Sequence, residues 1–401
     1  MQALRAPTAF DGERFLDGGV TVLLDGARIR GVEPFVFEPP SGVELSVYDG
    51  TLLPGLIDGH VHLVSDSSSG GLERAGGLDD AALDVLIRQS LRQQAVSGVT
   101  TVRDLGDAAF RTVAARDRGE EGLPRIVAAG PPLTTPGGHC HYLGGATQGV
   151  DGVRGAVAEH ADRGVDVIKV MASGGMLTQG TDVLGVQFSA DELAAAVRAA
   201  HQRGLPLLAH AHSLASVRHA LRAGVDGIEH FSCLTEAGVH TPDDVLAALA
   251  AADTVVGPTL GLDLARMPSE DQLPPQLRAL LERLSLSPEK LRKARAEQLA
   301  KVRAHGIRVV TGVDAGASPP KHHGMVWMAT LQLLEAGYPL AEALATATSQ
   351  AADACGLGAE TGRLRAGLAA DLLVVDGDLR ADPAALGRPT AVVVRGARVS
   401  L

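Results

Sequence analysis

The chain has 401 residues, 45% of them hydrophobic, and a net charge of −11 with no block of Lys or Arg. The length suits one barrel of about 250–350 residues plus a small accessory domain, while the charge argues against nucleic acid and anionic membrane as partners and no run reaches the ~18 apolar residues of a membrane span. Cys140, Cys233 and Cys355 are odd in number and far apart, as reduced thiols of a cytoplasmic protein would be, and the opening MQALRAPTAFDGERF shows no apolar core of a secretory signal.

Residues 1–54 read as short strands joined by turns, with Asp-Gly at 11–12, 25–26 and 49–50. The last forty residues, from 362, repeat this texture, so the two ends are expected to pair into one small β-domain. Between them, residues 55–361 alternate strand and helix. The candidate strands are LIDGHVHL (56–63), TTVRDL (100–105), RIVAAG (125–130), DVIKVMAS (166–173), LPLLAHA (205–211), DGIEHF (226–231), TVVGPTL (254–260) and IRVVTGVDA (307–315). Helical patterns lie between them. In one, Ser189 is the expected N-cap, Glu192 completes a capping box and Gly204 is the stop. Residues 264–304 are long for one barrel helix and are broken at Pro274–Pro275 and Pro288, which predicts an insertion beside the seventh strand. Helices over 323–337 and 339–354 come last. The alternation predicts a parallel (β/α)8 barrel.

Six residues at or near the ends of these runs can bind metal: His60, His62, Lys169, His210, His230 and Asp314. His60 and His62 face the same way because strand side chains alternate with period two. Lys169 stands among apolar and small neighbours, where an ammonium is costly unless it is paired or chemically altered. Two readings stay open on the residues alone: a lysine capped by a buried carboxylate, or one whose depressed pKa lets it add CO2 and become a bidentate carbamate. His210 and His212 share a face and compete for one ligand role; His210 is favoured, with His212 in the pocket. His160, His201, His219 and His305 fall in helical patterns and are expected on solvated faces.

The stretches PGLIDGHVHL, IKVMASGG, LAHAH, GIEH and TGVDAG resemble the amidohydrolase superfamily, as does the late run HHGMVWMATLQLLEAGYPLAEALATATSQAADACGLGAETGRLRAGLAADLLVVDGD. They do so in the right order across nearly the whole chain, in the subtype with a binuclear site and a carboxylated lysine. TTPGGHCHYLGG (134–145), ASGGMLTQGTDVLGVQFS (172–189) and the 41-residue step from Lys169 to His210 are similar to the imidazolonepropionase-like group, which includes metal-dependent prolidases and ochratoxin-type amidases. The loop Met176-Leu177-Thr178-Gln179-Gly180 departs from the prolidase pattern. The resemblance implies a TIM barrel with a β-sandwich built from both termini. It implies two divalent ions, Zn2+ first and Co2+ or Mn2+ as alternatives, held by His60 and His62, by Lys169 as a bridging carbamate, by His210 and His230, and by Asp314, which would also serve as acid–base.

The expected reaction is hydrolysis of an amide next to a free carboxylate, in a dipeptide or N-acyl amino acid, by a metal-bridging hydroxide. Cyclic amides, carbamates, lactones and organophosphates are the alternative substrates. His139 in the Gly-rich loop after the third strand, His212 and His323 are the expected substrate contacts. The partner is a small molecule, and the protein is expected to be a homo-oligomer. A mononuclear deaminase is disfavoured, because that branch lacks the strand-four lysine and carries a glutamate soon after the strand-five histidine, where 211–215 has none. A non-enzymatic scaffold would not need all six ligand positions.

Overall fold

Seven short strands open the chain in a computed structural model that describes residues 1–269 and 272–401: β1 (Gln2–Ala6), β2 (Thr8–Phe10), β3 (Phe15–Leu16), β4 (Val20–Asp25), β5 (Arg28–Pro34), β6 (Glu44–Val47) and β7 (Gly50–Pro54). Asp25-Gly26 turns β4 back onto β5, with Gly26 in the left-handed region that glycine adopts without strain. Asp49-Gly50, expected as a turn, instead begins β7. There a side chain on Gly50 would lie 2.0 Å from the Val375 carbonyl, so glycine permits a close approach between strands.

The C-terminal strands are β16 (Leu372–Asp376), β17 (Pro389–Val394) and β18 (Ala397–Arg398), numbered after the eight strands β8–β15 of the middle. β16 pairs antiparallel with β7, from Leu372 opposite Pro54 to Asp376 opposite Gly50. One sheet thus runs β18-β17-β16-β7-β2-β3 and mixes both termini, beside a second sheet β5-β4-β1-β6. Leu4, Val22, Leu24 and Ile29 of one sheet share an apolar core with Leu52, Leu372, Val374 and Val393 of the other, as period-two alternation requires of two packed sheets.

The middle carries β8 (Leu56–Val61), β9 (Val99–Asp104), β10 (Arg125–Ala128), β11 (Ile168–Met171), β12 (Leu207–Ser213), β13 (Gly227–Thr235), β14 (Gly238–Val239) and β15 (Val255–Gly257). β10-β9-β8 and β11-β12-β13-β15 form two parallel ladders. β9, β11 and β12 are buried at every position, as strands covered on both faces must be. Helices cover them. Asp80–Val96 is capped by Asp79 and buries Leu83, Ile87, Leu91 and Gln94 on one face. Ala190–Gln202 has the Ser189–Glu192 capping box that its sequence predicts. The expected insertion folds as Pro275–Arg283 and Pro288–Ala304, each opening on a proline at its first turn; Glu270 and Asp271 lie outside the described residues. The two closing helices start later and break sooner than expected, as Val326–Glu335, Leu340–Thr346 and Ser349–Ala354.

The eighth predicted strand is the main local difference. Residues 307–315 form no regular ladder. They pair at single positions, Val309 with Val256 and Ala315 with Val61, through hydrogen bonds such as Gly59 N to Thr311 O (2.9 Å) and Asp314 N to His60 O (2.8 Å). Gly312 passes so close to His60 that a Cβ would lie 2.8 Å from its backbone nitrogen, and Asp314 sits at φ 65°. A left-handed residue breaks the pleat at Asp314. Leu133 similarly meets Val170 at one position between β10 and β11. Among the described residues no helix is long and apolar enough to cross a membrane.

Candidate metal centre

His60 is the penultimate residue of β8 and His62 directly follows the strand, while Asp314 approaches from the interrupted eighth run. Asp314 Oδ1 lies 3.4 Å from His60 Nε2 and 3.2 Å from His62 Nε2. On the opposite side, His210 and His212 on β12 meet His230 on β13. Each of the two sets, His60–His62–Asp314 and His210–His212–His230, offers three ligand atoms within 4.8 Å of one another. The sets adjoin: the ring centroids of His60 and His230 are 5.3 Å apart, and those of His210 and His230 are 4.5 Å apart. His212 therefore joins the ligand candidates beside His210, closer to the centre than the pocket role its sequence suggested.

Each imidazole has one nitrogen anchored by the scaffold. His60 Nδ1 donates to Glu229 Oε2 (2.8 Å), His62 Nδ1 to Gly106 O (2.9 Å) and His210 Nε2 to Gly174 O (3.2 Å). His212 Nδ1 lies 2.9 Å from Ser232 Oγ, and His230 Nδ1 lies 3.0 Å from Thr259 Oγ1. This fixes the ring orientation and leaves the other nitrogen of each ring to a cation. Burial, with neighbouring positive charge, lowers His60, His210 and His230 well below the ordinary imidazole value, so these rings are neutral, as ligands must be. Burial alone would raise Asp314, but the hydrogen bond and charge of His62, whose own value Asp314 raises in turn, outweigh that together with Lys321 and hold its carboxyl well below the usual range.

Lys169 lies among these groups on β11, with its Cα opposite Leu208. It is 1% exposed, and its Nζ has no hydrogen-bond partner among the described residues. Burial lowers its amine to about 8, although Glu229 and Asp314 oppose the shift. An uncharged amine is the nucleophilic form that adds CO2, and a carbamate would supply the oxygen acceptors and negative charge that this orphaned atom lacks. Imidazole, carboxylate and carbamate donors suit Zn2+, Co2+ or Mn2+. On this ground the residues fit a pair of divalent ions.

Some of the strain in the backbone lies here too. His230 (φ 66°), Phe231 (φ 47°), Thr259 (φ 49°) and Asp314 (φ 65°) all occupy the left-handed region without being glycine. Such residues persist only where surrounding contacts over-determine them, and they cluster at functional sites.

The sequence pattern of the amidohydrolase family matches residues 51–399. The chain belongs to the amidohydrolase family. It is a hydrolase with two histidine-rich groups able to hold metal. This amidohydrolase is 30% identical over 366 residues to an uncharacterized protein of Mycobacterium tuberculosis, covering 90% of this chain and 88% of that one. It is 28% identical over 211 residues to ochratoxinase of Aspergillus niger, covering 46% and 44%. A prolidase solved in complex with N-methylphosphonate-L-proline superposes with a TM-score of 0.83 at 26% identity, over 100% of this chain and 99% of that one.

Of the expected substrate contacts, His139 lies against the centre of the amidohydrolase, its ring centroid 4.6 Å from that of His210 and its Nδ1 2.8 Å from Thr178 Oγ1. Burial lowers it to about 3, so it is neutral. His323 is placed differently. Its Nε2 donates to Ser65 O (3.0 Å) and its Nδ1 faces Gln94 Nε2 (3.4 Å), so both nitrogens serve the scaffold. His160, expected on a solvated face, is buried. It packs edge-on against Phe110, with its nitrogens bonded to Ala156 O and Pro131 O. Residues 131 and 110 come from other parts of the chain, which helical periodicity does not reveal.

The reading of the sequence missed Glu229 and Arg103. Both are buried, and Arg103 Nη2 donates to Glu229 Oε1 (3.1 Å) while its Nε donates to Gly59 O (2.8 Å). A charge inside a buried strand run was the available signal for both, in GIEH and TTVRDL, although Arg103 lacks the uniformly apolar or small neighbours that singled out Lys169.

Proposed function

We propose that this amidohydrolase cleaves an amide bond next to a free carboxylate, in an Xaa-amino-acid dipeptide or an N-acyl amino acid. The observation that carries the reading is the buried Lys169 amine, without a hydrogen-bond partner among the described residues, beside two candidate ligand groups. The likeness to a prolidase that binds a proline phosphonate, and to ochratoxinase, supports the substrate class. In this reading residues 55–361 are the catalytic unit, closed as an eight-stranded barrel by the paired positions around 309–315, with 1–54 and 362–401 as the accessory sandwich.

His60, His62 and Asp314 would hold one ion, His210 and His230 the other, with Lys169 as a carbamate between them and His212 beside them. Two such ions, when bound, supply Lewis acidity that lowers the pKa of water from about 15.7 towards ~7 and polarises the scissile carbonyl. The chain's own groups do the rest. Asp314, ionised at neutral pH, turns Oδ1 to the imidazoles and leaves Oδ2 to take a proton from water and return it to the leaving nitrogen. The Thr178 hydroxyl donates to His139 Nδ1, so that Nε2–H of His139 donates to the substrate carbonyl or carboxylate. The buried walls exclude bulk water and strengthen both interactions.

A panel of dipeptides and N-acyl amino acids, run beside cyclic amides, lactones, carbamates and phosphotriesters on the metal-loaded enzyme, tests this. Turnover is expected for the first group and to fall when the carboxylate is amidated. Turnover confined to the second group would overturn the reading.

A further inference from the structure

Arg295 reaches the metal centre from the helix Pro288–Ala304, part of the insertion beside the seventh strand. Its guanidinium donates to three main-chain carbonyls: Nη1 to Phe231 O (2.7 Å), and Nη2 to His230 O (2.6 Å) and to Pro258 O (3.0 Å). Nη1 also donates to Gln298 Oε1, and Gln298 Nε2 is tied to Thr241 Oγ1 at 2.7 Å, which steadies the guanidinium from behind. Each of these acceptors is a neutral oxygen. Lys321, in the loop after Asp314, grips the next carbonyls: its Nζ donates to Thr259 O (2.6 Å) and Val313 O (2.8 Å).

The gripped carbonyls are not arbitrary. Those of His230, Phe231 and Thr259 belong to three left-handed residues, and that of Val313 directly precedes the fourth, Asp314. Thr259 also meets His230 Nδ1 through its hydroxyl. In the left-handed conformation a carbonyl points away from where an ordinary strand would send it, so it loses its ladder partner and must find another. A planar fork that takes several carbonyls at fixed angles is suited to that task, and a single ammonium replaces it poorly.

We propose that Arg295 and Lys321 are positioning residues, a pair of cations that pins the left-handed turns at His230 and Asp314 and so sets where these two side chains point. The inference rests on the metal-site reading above. It gives the insertion a function: its second helix delivers the cation that holds one ligand of the second ion in place. Relaxation of His230 to an ordinary strand conformation would swing its ring away from His210 and His212, while the set around His60 and His62 would lose less.

The test is a Co2+ titration of the metal-free full chain, followed by visible absorption and equilibrium dialysis, for wild type, Arg295→Lys and Arg295→Ala, with kcat and KM measured on each. Wild type is the control and should take up two ions; none in wild type would sink the metal-site reading and this proposal with it. Arg295→Lys is expected to bind one ion as wild type does and the second about 10–100-fold more weakly, a loss in the range seen when groups that orient metal ligands are removed. Its kcat should fall while KM stays within about threefold. Free guanidinium should restore part of the second affinity and of kcat in Arg295→Ala, which a general loss of packing would not allow. Two ions bound with wild-type affinity in a folded Arg295→Lys would overturn the proposal while leaving the metal site standing. So would failure of both variants to fold, because Arg295 would then be a determinant of the fold.

Discussion

Glu229 Oε2 lies 2.8 Å from His60 Nδ1, and Glu229 Oε1 lies 3.1 Å from Arg103 Nη2. One buried carboxylate therefore fixes the tautomer of His60, a candidate ligand, and neutralises a buried guanidinium, one position before His230. Glu229→Gln is expected to weaken metal binding at the His60 group about 10–100-fold. It should also destabilise the fold by about 3–5 kcal/mol, because Arg103 would be left charged and unpaired. Metal titration and urea unfolding measure the two effects separately. Replacing Arg103 by Met in the same chain should recover part of the stability and none of the metal affinity.

Lys169→Ala is expected to remove most activity, and short carboxylates such as formate or propionate should restore part of it by entering the space the lysine leaves. Activity assays with and without added carboxylate check this, and unchanged turnover in the variant would refute a bridging role for Lys169.

His139 can be tested without changing its chemistry. A Cβ at Gly175 would lie 2.2 Å from His139 Cε1 and 2.3 Å from its Nε2, so Gly175→Ala must displace the ring. The expected result is a fall in kcat/KM of roughly 100-fold, the size of one lost donor to a developing oxyanion, at unchanged metal content. Equal losses in Gly175→Ala and His139→Ala would show that the position of the ring, and not its presence, carries the effect.

His323 gives a prediction for pH. Its neutral tautomer donates to Ser65 O and faces the Gln94 amide, and burial lowers its folded-state value from 6.5 to about 4. The unfolded chain therefore binds more protons than the folded one between these values, so stability rises with pH across that window. The contribution is complete above about pH 6.5 and is lost as pH falls through about 4, to a total of about 3 kcal/mol. Urea midpoints of the metal-free protein between pH 4 and 7 should slope less in His323→Gln than in wild type.

The sequence made the alternating strands, the paired termini and the candidate residues His60, His62, Lys169, His210, His230 and Asp314 legible, because each rests on a local pattern: period-two burial, capping residues, and charged or imidazole groups at the ends of apolar runs. It was silent on the broken eighth strand, where the left-handed Asp314 and the close pass of Gly312 against His60 are properties of the assembled site. Glu229 lay within reach of the argument that found Lys169, whereas Arg103, beside Asp104, did not. The buried His160 and the two scaffold bonds of His323 were not legible, since their partners come from distant parts of the chain. Periodicity also left His210 and His212 together, and the structure keeps them together in one group.

The central claim is that two ions assemble on a modified Lys169. It is tested most directly by a crystal structure of the Zn2+-loaded enzyme grown in bicarbonate, with anomalous data at the zinc edge. Two anomalous peaks, one at the His60–His62–Asp314 group and one at the His210–His230 group, with density for a carboxyl unit on Lys169 Nζ between them, is the result this account predicts. A bare Lys169 amine with one peak or none would contradict it.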